Sequence, residues 1–143
     1  MQAVRRVVTG CDGSGRSVFA SDGPAPARGL LLFDVWSSTA VVQLPSDGRS
    51  SPVSELFPGP GGFRFLVLGF APGREVPLHR SDTIDYGVVL SGEIWLEVDG
   101  GAETRLCAGD TVVQCGTRHA WHNRSAEICV MAFAIVGAAS GGD

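Results

Sequence analysis

Residues 73–92 read GREVPLHRSDTIDYGVVLSG, and this stretch decides how the rest of the chain is interpreted. Between two turn glycines it carries one of the three histidines (His79), a carboxylate (Asp85) and the only tyrosine (Tyr86). The other two histidines lie in a second stretch of the same kind, residues 109–123, GDTVVQCGTRHAWHN. Every imidazole therefore belongs to one of two short segments typical of β-strands, and these segments are where we look for function.

Length and composition predict one soluble globular domain. The chain has 143 residues, of which 44% are hydrophobic and 18% are charged, with 20 glycines and 8 prolines. That mixture is typical of a turn-rich globular protein. No apolar run reaches the roughly 20 residues that a membrane-spanning helix needs, and the N-terminal MQAVRRVVTG lacks the apolar core of a secretory signal. We expect a cytoplasmic protein with no membrane partner.

Charge and side-chain chemistry exclude several classes of function. The net charge of −4, without a basic stripe interleaved with aromatic residues, argues against nucleic acid as a partner. All eleven basic residues are arginines, so neither a lysine Schiff base nor a lysine general base can operate here. The four cysteines (Cys11, Cys107, Cys115 and Cys129) show no metal-finger spacing, and we expect them to be buried small hydrophobic residues.

Short strands separated by turn signals account for most of the chain. Besides the first histidine stretch, strands are predicted at residues 4–10, 17–20, 30–36, 39–44, 63–70, 93–98, 104–106, 111–114, 119–123 and 128–136. No segment longer than two turns shows helical periodicity, so we expect eight to eleven strands in an antiparallel sandwich or barrel.

The strands and loops together predict one domain over residues 1–136. The first two strands and their glycine-rich connection predict an N-terminal hairpin. Residues 21–29 are expected to form a loop, and residues 45–62 a long loop that serves as a lid, a binding loop or a mobile segment. Residues 137–143 are expected to be a flexible tail.

Strand geometry brings three of the polar side chains toward one another. His79 and Ser81 are two residues apart and are expected on the same face of a strand. If both histidine stretches line one cavity, His79, Asp85 and His119 can converge there. Two imidazoles and a carboxylate form the facial triad of non-haem iron, and they also suit zinc or nickel. Without a metal, the same groups form an acid–base constellation with Tyr86 nearby.

The two stretches resemble the two motifs of the cupin superfamily, whose fold is a small jelly-roll barrel, the double-stranded β-helix. The first motif, G-x5-H-x-H-x3-E-x6-G, aligns with Gly73, His79, Ser81, Asp85 and Gly92. The second, G-x5-P-x-G-x2-H-x3-N, aligns with Gly109, Gln114, Gly116, His119 and Asn123, one residue short and with Gln in place of Pro. The resemblance implies an all-β cupin barrel whose motifs span about residues 63–136. More narrowly, the two stretches are similar to those of small single-domain cupins found near natural-product pathways.

The resemblance further implies a metal site, with two departures from the family pattern. Ser81 replaces the second metal-binding histidine, and Asp85 replaces the glutamate. What carries over is His79, Asp85 and His119 as ligands of a divalent ion such as zinc, iron, nickel or manganese. A metal-free site is the alternative, and His122 could substitute as a ligand if its strand is bulged.

Further residues are assigned to the site. Tyr86 is counted with the three ligands among the catalytic residues, although alternation points it to the other face, where it would serve packing. The residues predicted to line the substrate pocket are Ser81, Trp121, Asn123 and Phe65. Three arginines flank the motifs and would either hold a substrate carboxylate or form surface salt bridges: Arg64, Arg80 and Arg118.

The function that follows is an enzyme acting on a small oxygenated organic molecule inside the barrel. We favour a metal-dependent lyase or isomerase that catalyses decarboxylation, dehydration, cyclisation or epimerisation, in which the metal polarises a carbonyl group. The alternatives are an Fe(II)-dependent dioxygenase and a non-catalytic ligand-binding cupin. The resemblance also implies a homodimer.

Overall fold

A computed structural model describes residues 1–51 and 55–141. Within these ranges the chain forms twelve strands and one 3₁₀ turn, Asp99–Gly101, so the all-β prediction is confirmed. The strands are β1 Arg5–Cys11, β2 Ser17–Pro24, β3 Ala27–Arg28, β4 Leu32–Ser38, β5 Phe63–Phe70, β6 Glu75–His79, β7 Thr83–Ser91, β8 Glu93–Val98, β9 Glu103–Cys107, β10 Thr111–Cys115, β11 His119–His122 and β12 Cys129–Gly137.

Two antiparallel sheets enclose the main core. The major sheet has the strand order β10-β7-β12-β5-β4-β3, and the minor sheet has the order β6-β11-β8-β9. Alternate side chains from both sheets point inward, as expected for strands with one buried face. The core they form comprises Leu66, Phe70, Val89, Ile94, Trp121, Cys129, Met131, Phe133 and Ile135.

The N-terminal hairpin is confirmed and is longer than predicted. β1 and β2 pair from Cys11 and Ser17 at the turn to Arg5 and Pro24 at the open end. Part of the predicted loop at residues 21–29 is therefore strand. Pro24 is tolerated because it lies in the last residue pair of this two-stranded sheet. Its missing N–H therefore removes no hydrogen bond from the middle of a sheet.

The predicted strand at residues 39–44 is absent, because local hydrogen bonds replace the sheet ladder. The Ser38 hydroxyl donates to the carbonyl of Ala40 at 2.6 Å and accepts from the backbone N–H of Ala40 at 3.3 Å. Such side-chain bonds to the nearby backbone compete with strand pairing. Val41 and Leu44 are left 81% and 82% exposed.

The long loop and the tail are described only in part. Residues 52–54, inside the predicted loop, and residues 142–143, at the end of the predicted tail, lie outside the described residues. Gly137, assigned to the tail, belongs to β12, and the N–H of Ala138 donates to the carbonyl of Asp82 at 2.9 Å. In the described ranges no helix is long and apolar enough to cross a membrane.

Three glycines of the motifs lie where the chain turns. Gly92, Gly109 and Gly116 have φ angles of 78°, 91° and 66°. Glycine adopts this left-handed region at no steric cost. At Gly92 an added Cβ would also approach the carbonyl oxygen of Ile128 to 2.8 Å.

Candidate functional site

A cavity of about 260 Å³ lies between the two sheets. Its wall is mostly apolar, and the titratable side chains that line it are Arg74, His79, Asp85 and His119. The apolar lining is supplied by Leu32, Leu56, Phe57, Leu66, Leu68, Phe70, Val76, Trp121, Phe133 and Ile135. Sequence reasoning brought His79, Asp85 and His119 together, and the structure places all three in this cavity.

A bulge in β6 aims His79 inward. His119, the first residue of β11, pairs with His79, whereas Trp121 pairs with Val76, so one residue of β11 faces two residues of β6. Pairing of β11 with β8 is regular, which assigns the extra residue to β6. Val76 and His79 are three residues apart and yet both line the cavity. Simple alternation does not predict this bulge.

Backbone carbonyl groups set the tautomers of the two cavity histidines. Nδ1 of His79 lies 2.9 Å from the carbonyl oxygen of Pro77, and Nδ1 of His119 lies 2.9 Å from that of Thr117. Because a carbonyl oxygen only accepts, each Nδ1 carries the proton and each Nε2 keeps its lone pair. Metal-binding histidines are typically oriented by such a bond from the other ring nitrogen.

The third titratable group at this end of the cavity, Asp85, is a buried carboxylate. It is 6% exposed, and its Oδ1 accepts a 2.7 Å hydrogen bond from the Thr83 hydroxyl. Burial raises the pKa of Asp85, and this outweighs the lowering by Thr83, His119 and His79. Burial likewise lowers the pKa of His119, which favours the neutral imidazole. Two Nε2 atoms and a buried carboxylate are the ligand types of a divalent-cation site, where the ion would compensate the buried negative charge. Among the described residues, however, the ligand atoms of His79, Asp85 and His119 do not all lie within 4.8 Å of one another, so the three side chains would have to close around an ion.

Ser81 does not line the cavity. It is 8% exposed and bonds through its hydroxyl to the Thr83 hydroxyl at 2.8 Å. Thr83 in turn donates to Asp85, so Ser81 begins a chain of hydrogen bonds that ends at the carboxylate. The assignment of Ser81 to the pocket wall is corrected, because Ser81 follows the end of β6 and does not continue its alternation.

Three other predicted site residues are not brought to the cavity. Tyr86 and Phe65 are 51% and 45% exposed, because they alternate with the inward residues of their strands and lie on the outer face of the major sheet. Asn123 is 1% exposed and structural, since its amide nitrogen donates to the carbonyl groups of Phe70 and Glu127, both at 2.8 Å. Trp121 is the predicted pocket residue that does line the cavity, where it lies edge-on to Phe133.

His122 faces away from the cavity, as alternation predicts, and therefore cannot replace Ser81 as a ligand. Its Nε2 lies 2.8 Å from a carboxylate oxygen of Glu97 on the outer face of the minor sheet. Potential ligand atoms of His122, Glu97 and Glu103 all lie within 4.8 Å of one another, a grouping that sequence reasoning missed. Glu103 is already paired with the guanidinium of Arg124 at 2.6 Å and 2.8 Å.

The three arginines that flank the motifs have structural partners. Arg80 and Arg118 pair with Asp82 and Asp99 at 3.5 Å and 3.6 Å on the surface. Arg64 is buried and pairs with Asp34. Arg80 and Arg118 thus form the surface salt bridges given as the alternative, whereas Arg64 forms a buried ion pair.

Comparisons with known proteins agree with this architecture. The family model described as Cupin domain matches residues 66–136. Phomopsin biosynthesis cluster protein C′ of Diaporthe leptostromiformis is 37% identical over 138 residues, which cover 87% of this chain and 73% of that protein. Cupin-domain-containing oxidoreductase fogC of Aspergillus ruber is 33% identical over 133 residues, covering 86% of this chain and 66% of that protein.

A solved structure shows the same fold. The crystal structure of a conserved protein with a double-stranded β-helix domain from Klebsiella pneumoniae superposes with a TM-score of 0.54. The two chains are 20% identical, and the match covers 81% of this chain and 84% of the other. The motif spacing, the two facing sheets, the family match and the relatives agree: this chain is a member of the cupin superfamily.

Proposed function

We propose that this chain is a metal-dependent oxidoreductase that acts on a small, largely apolar molecule in a biosynthetic pathway. His79, Asp85 and His119 would hold the divalent ion. The observation that carries the proposal is the pair of cavity histidines beside the buried Asp85. Each has its Nδ1 bonded to a carbonyl group and its Nε2 without a hydrogen bond to the described part of the chain.

The composition of the cavity wall favours oxidation over a proton-transfer reaction. Two histidines and one carboxylate are the facial triad of non-haem iron(II) oxygenases, which leaves coordination positions open. Once these three groups are ligands, Arg74 is the remaining titratable side chain among the described residues of the wall, and arginine does not give up its proton in proteins. The described wall therefore offers a lyase or isomerase no side-chain proton carrier, since Tyr86 and His122 lie outside the cavity. Iron(II), when bound, would supply oxidation by dioxygen.

The apolar walls would orient the substrate and exclude water. His119 is 2% exposed, and its ring centroid lies 5.8 Å from that of Trp121. Phe57 covers the other side, with its centroid 6.3 Å from that of His79. A volume of about 260 Å³ fits a compound smaller than most drug-sized ligands. The names of the relatives support a place in natural-product biosynthesis, and one of them is named an oxidoreductase.

A lyase or isomerase is the second candidate, and Asp85 is the observation that favours it. Burial raises the pKa of this carboxyl group, which brings it toward the range in which a general acid or base works. If the two histidines alone held the ion, Asp85 could carry the proton.

Nitric oxide distinguishes these candidates without knowledge of the substrate. Protein loaded anaerobically with Fe(II) is exposed to nitric oxide and examined by electron paramagnetic resonance. We expect the S = 3/2 signal of an iron–nitrosyl centre, lost in His79→Ala and His119→Ala and kept in the surface variant Arg105→Gln. Binding of zinc or nickel without an iron–nitrosyl signal would move the lyase or isomerase to first place. No metal binding would leave a ligand-binding module.

A further inference from the structure

The cavity carries a cation, Arg74, whose guanidinium group has no partner among residues 1–51 and 55–141. Arg74 immediately precedes β6 and contributes to the cavity wall, and alternation puts it on the same face as Val76. Its backbone is fixed on both sides, since its N–H donates to the carbonyl of Ala71 at 3.0 Å and its carbonyl accepts from Asn123 at 2.9 Å. The side chain is exposed, which places it at the mouth of the cavity.

Arg74 differs from the other arginines in this respect. Arg6 donates to the carbonyl of Val35, and every remaining arginine pairs with an aspartate or a glutamate. The guanidinium group of Arg74 makes no ion pair or hydrogen bond with any residue in the ranges 1–51 and 55–141. A fold that pairs its other arginines leaves this one facing an apolar cavity.

The position of Arg74 gives the cavity two polar ends. Arg74 immediately precedes β6 and His79 ends it, so the two are five residues and about 15 Å apart along a bulged strand. Between them the wall is apolar, with Val76, Phe70 and Trp121 among its residues. A molecule that spans the cavity meets a guanidinium group at one end and the two histidines with Asp85 at the other.

We propose that Arg74 binds a carboxylate group of the substrate, an inference that rests on the proposed function and specifies its substrate class. The guanidinium fork matches a carboxylate with two parallel hydrogen bonds. The substrate is then a small carboxylic acid with an apolar body, whose acid group lies at the mouth and whose reacting carbon lies near His79 and His119. The apolar body gains from burial against the cavity wall.

Matched eight-carbon probes test this inference. Octanoate, 1-octanol and octyl phosphate are titrated by calorimetry into wild-type protein, Arg74→Gln and Arg105→Gln, and metal content is measured on the same samples. Arg105 pairs with Glu93 at 3.4 Å, does not line the cavity and serves as the control. We expect octanoate to bind wild type and Arg105→Gln equally and Arg74→Gln roughly tenfold or more weakly. Octanol should bind all three alike, and metal content should not change.

Three results would overturn the inference: no octanoate binding to wild type, equal binding to Arg74→Gln, or Arg74-dependent binding of octyl phosphate in preference to octanoate. The metal measurement separates this inference from the proposed function. Arg74-dependent octanoate binding by protein that takes up no metal would uphold the carboxylate site and reject the metal enzyme. Metal binding by wild type, with equal octanoate affinity in wild type and Arg74→Gln, would uphold the metal enzyme and reject the carboxylate site.

Discussion

The imidazole rings of His79 and His119 lie with their centroids 4.4 Å apart, as register partners on the hydrogen-bonded strands β6 and β11. Each ring is fixed by a bond from Nδ1 to the carbonyl oxygen two residues earlier in the chain. The same hydrogen bond therefore orients both rings, so that the two Nε2 atoms face one cavity. Asp85, from the opposite sheet, adds the carboxylate.

Asp85→Asn should stabilise the metal-free protein at neutral pH. Burial raises the pKa of Asp85 above its ordinary value of 3.8, so the charged form is disfavoured in the folded state. The stability contributed by protonated Asp85 is full below that ordinary value and is lost as pH rises through the raised folded pKa. We therefore expect a higher melting temperature for Asp85→Asn at pH 7, and a difference that shrinks toward pH 4.

Asp82→Asn is the control for that experiment, because Asp82 is nearby but its side chain is 52% exposed. Thermal unfolding followed by circular dichroism at both pH values provides the measurement. A metal-free Asp85→Asn protein that melts below wild type at pH 7 would show that the carboxylate is not a buried, uncompensated charge.

Arg64 should be important for stability. Its side chain is 1% exposed, pairs with Asp34 and donates from one nitrogen to the carbonyl groups of Glu55 and Leu56 at 3.1 Å and 3.3 Å. Arg64→Met leaves these acceptors without their donor, and removing one partner of a buried pair costs about 3–5 kcal/mol. We expect a loss near 3 kcal/mol in urea unfolding, because Asp34 keeps its 2.7 Å ion pair with Arg28.

The control for Arg64 is Arg105→Met, which removes an exposed ion pair of the kind that contributes about 1 kcal/mol or less. Equal losses in the two variants would contradict a structural role for Arg64. Leu56 also lines the cavity, so Arg64→Met should weaken ligand binding as well.

Two cysteines should differ sharply in reactivity. Burial raises the pKa of the Cys129 thiol to about 11, whereas Cys115 is exposed. Because the raised pKa and the burial of Cys129 both disfavour its thiolate, we expect iodoacetamide to alkylate the exposed Cys115 much faster than Cys129 at pH 8. Mass spectrometry over a time course provides the measurement, and comparable rates would mean that Cys129 is accessible. The burial of the two residues in the structure confirms the expectation of a buried cysteine for Cys129 and shows that it is wrong for Cys115.

A row of apolar residues on the outer face of the major sheet leads us to propose a homodimer. Val113, Tyr86, Ala134 and Phe65 are aligned across β10, β7, β12 and β5. Val113, Tyr86 and Phe65 are 56%, 51% and 45% exposed, and contiguous apolar surface of this kind marks contact sites. Sedimentation should show a dimer for wild type and a monomer for Tyr86→Arg. A monomeric wild type would refute the proposal.

The sequence predicted the second half of the fold better than the first, and the reasons are physical. Several strands after Phe63 alternate, as Glu93–Val98 does in sequence and Cys129–Gly137 does in burial, so period-two patterning marks them. Val41 and Leu44 have strand propensity, but hydrogen bonds at Ser38 hold their segment in a bend. The pairing of Arg64 with Asp34 joins residues 30 positions apart, and local pattern does not reveal it.

The candidate site was predictable where alternation alone decides, and not where it is interrupted. Motif spacing and alternation identified His79, Asp85 and His119. Ser81 was misplaced because the end of β6 interrupts the alternation on which its assignment depended. Arg74 was missed because its lack of a partner in the described ranges is visible only in the three-dimensional contacts.

The metal content of untagged protein tests the central claim most directly. Wild type, His79→Ala, His119→Ala and the control Arg105→Gln are purified in parallel and analysed by inductively coupled plasma mass spectrometry before and after incubation with Fe(II). We predict about one metal ion per chain in wild type and Arg105→Gln, and a loss of at least roughly tenfold in both histidine variants, as expected when a ligand is removed. Wild-type protein without metal, or histidine variants that keep it, would contradict a metal centre at His79, Asp85 and His119.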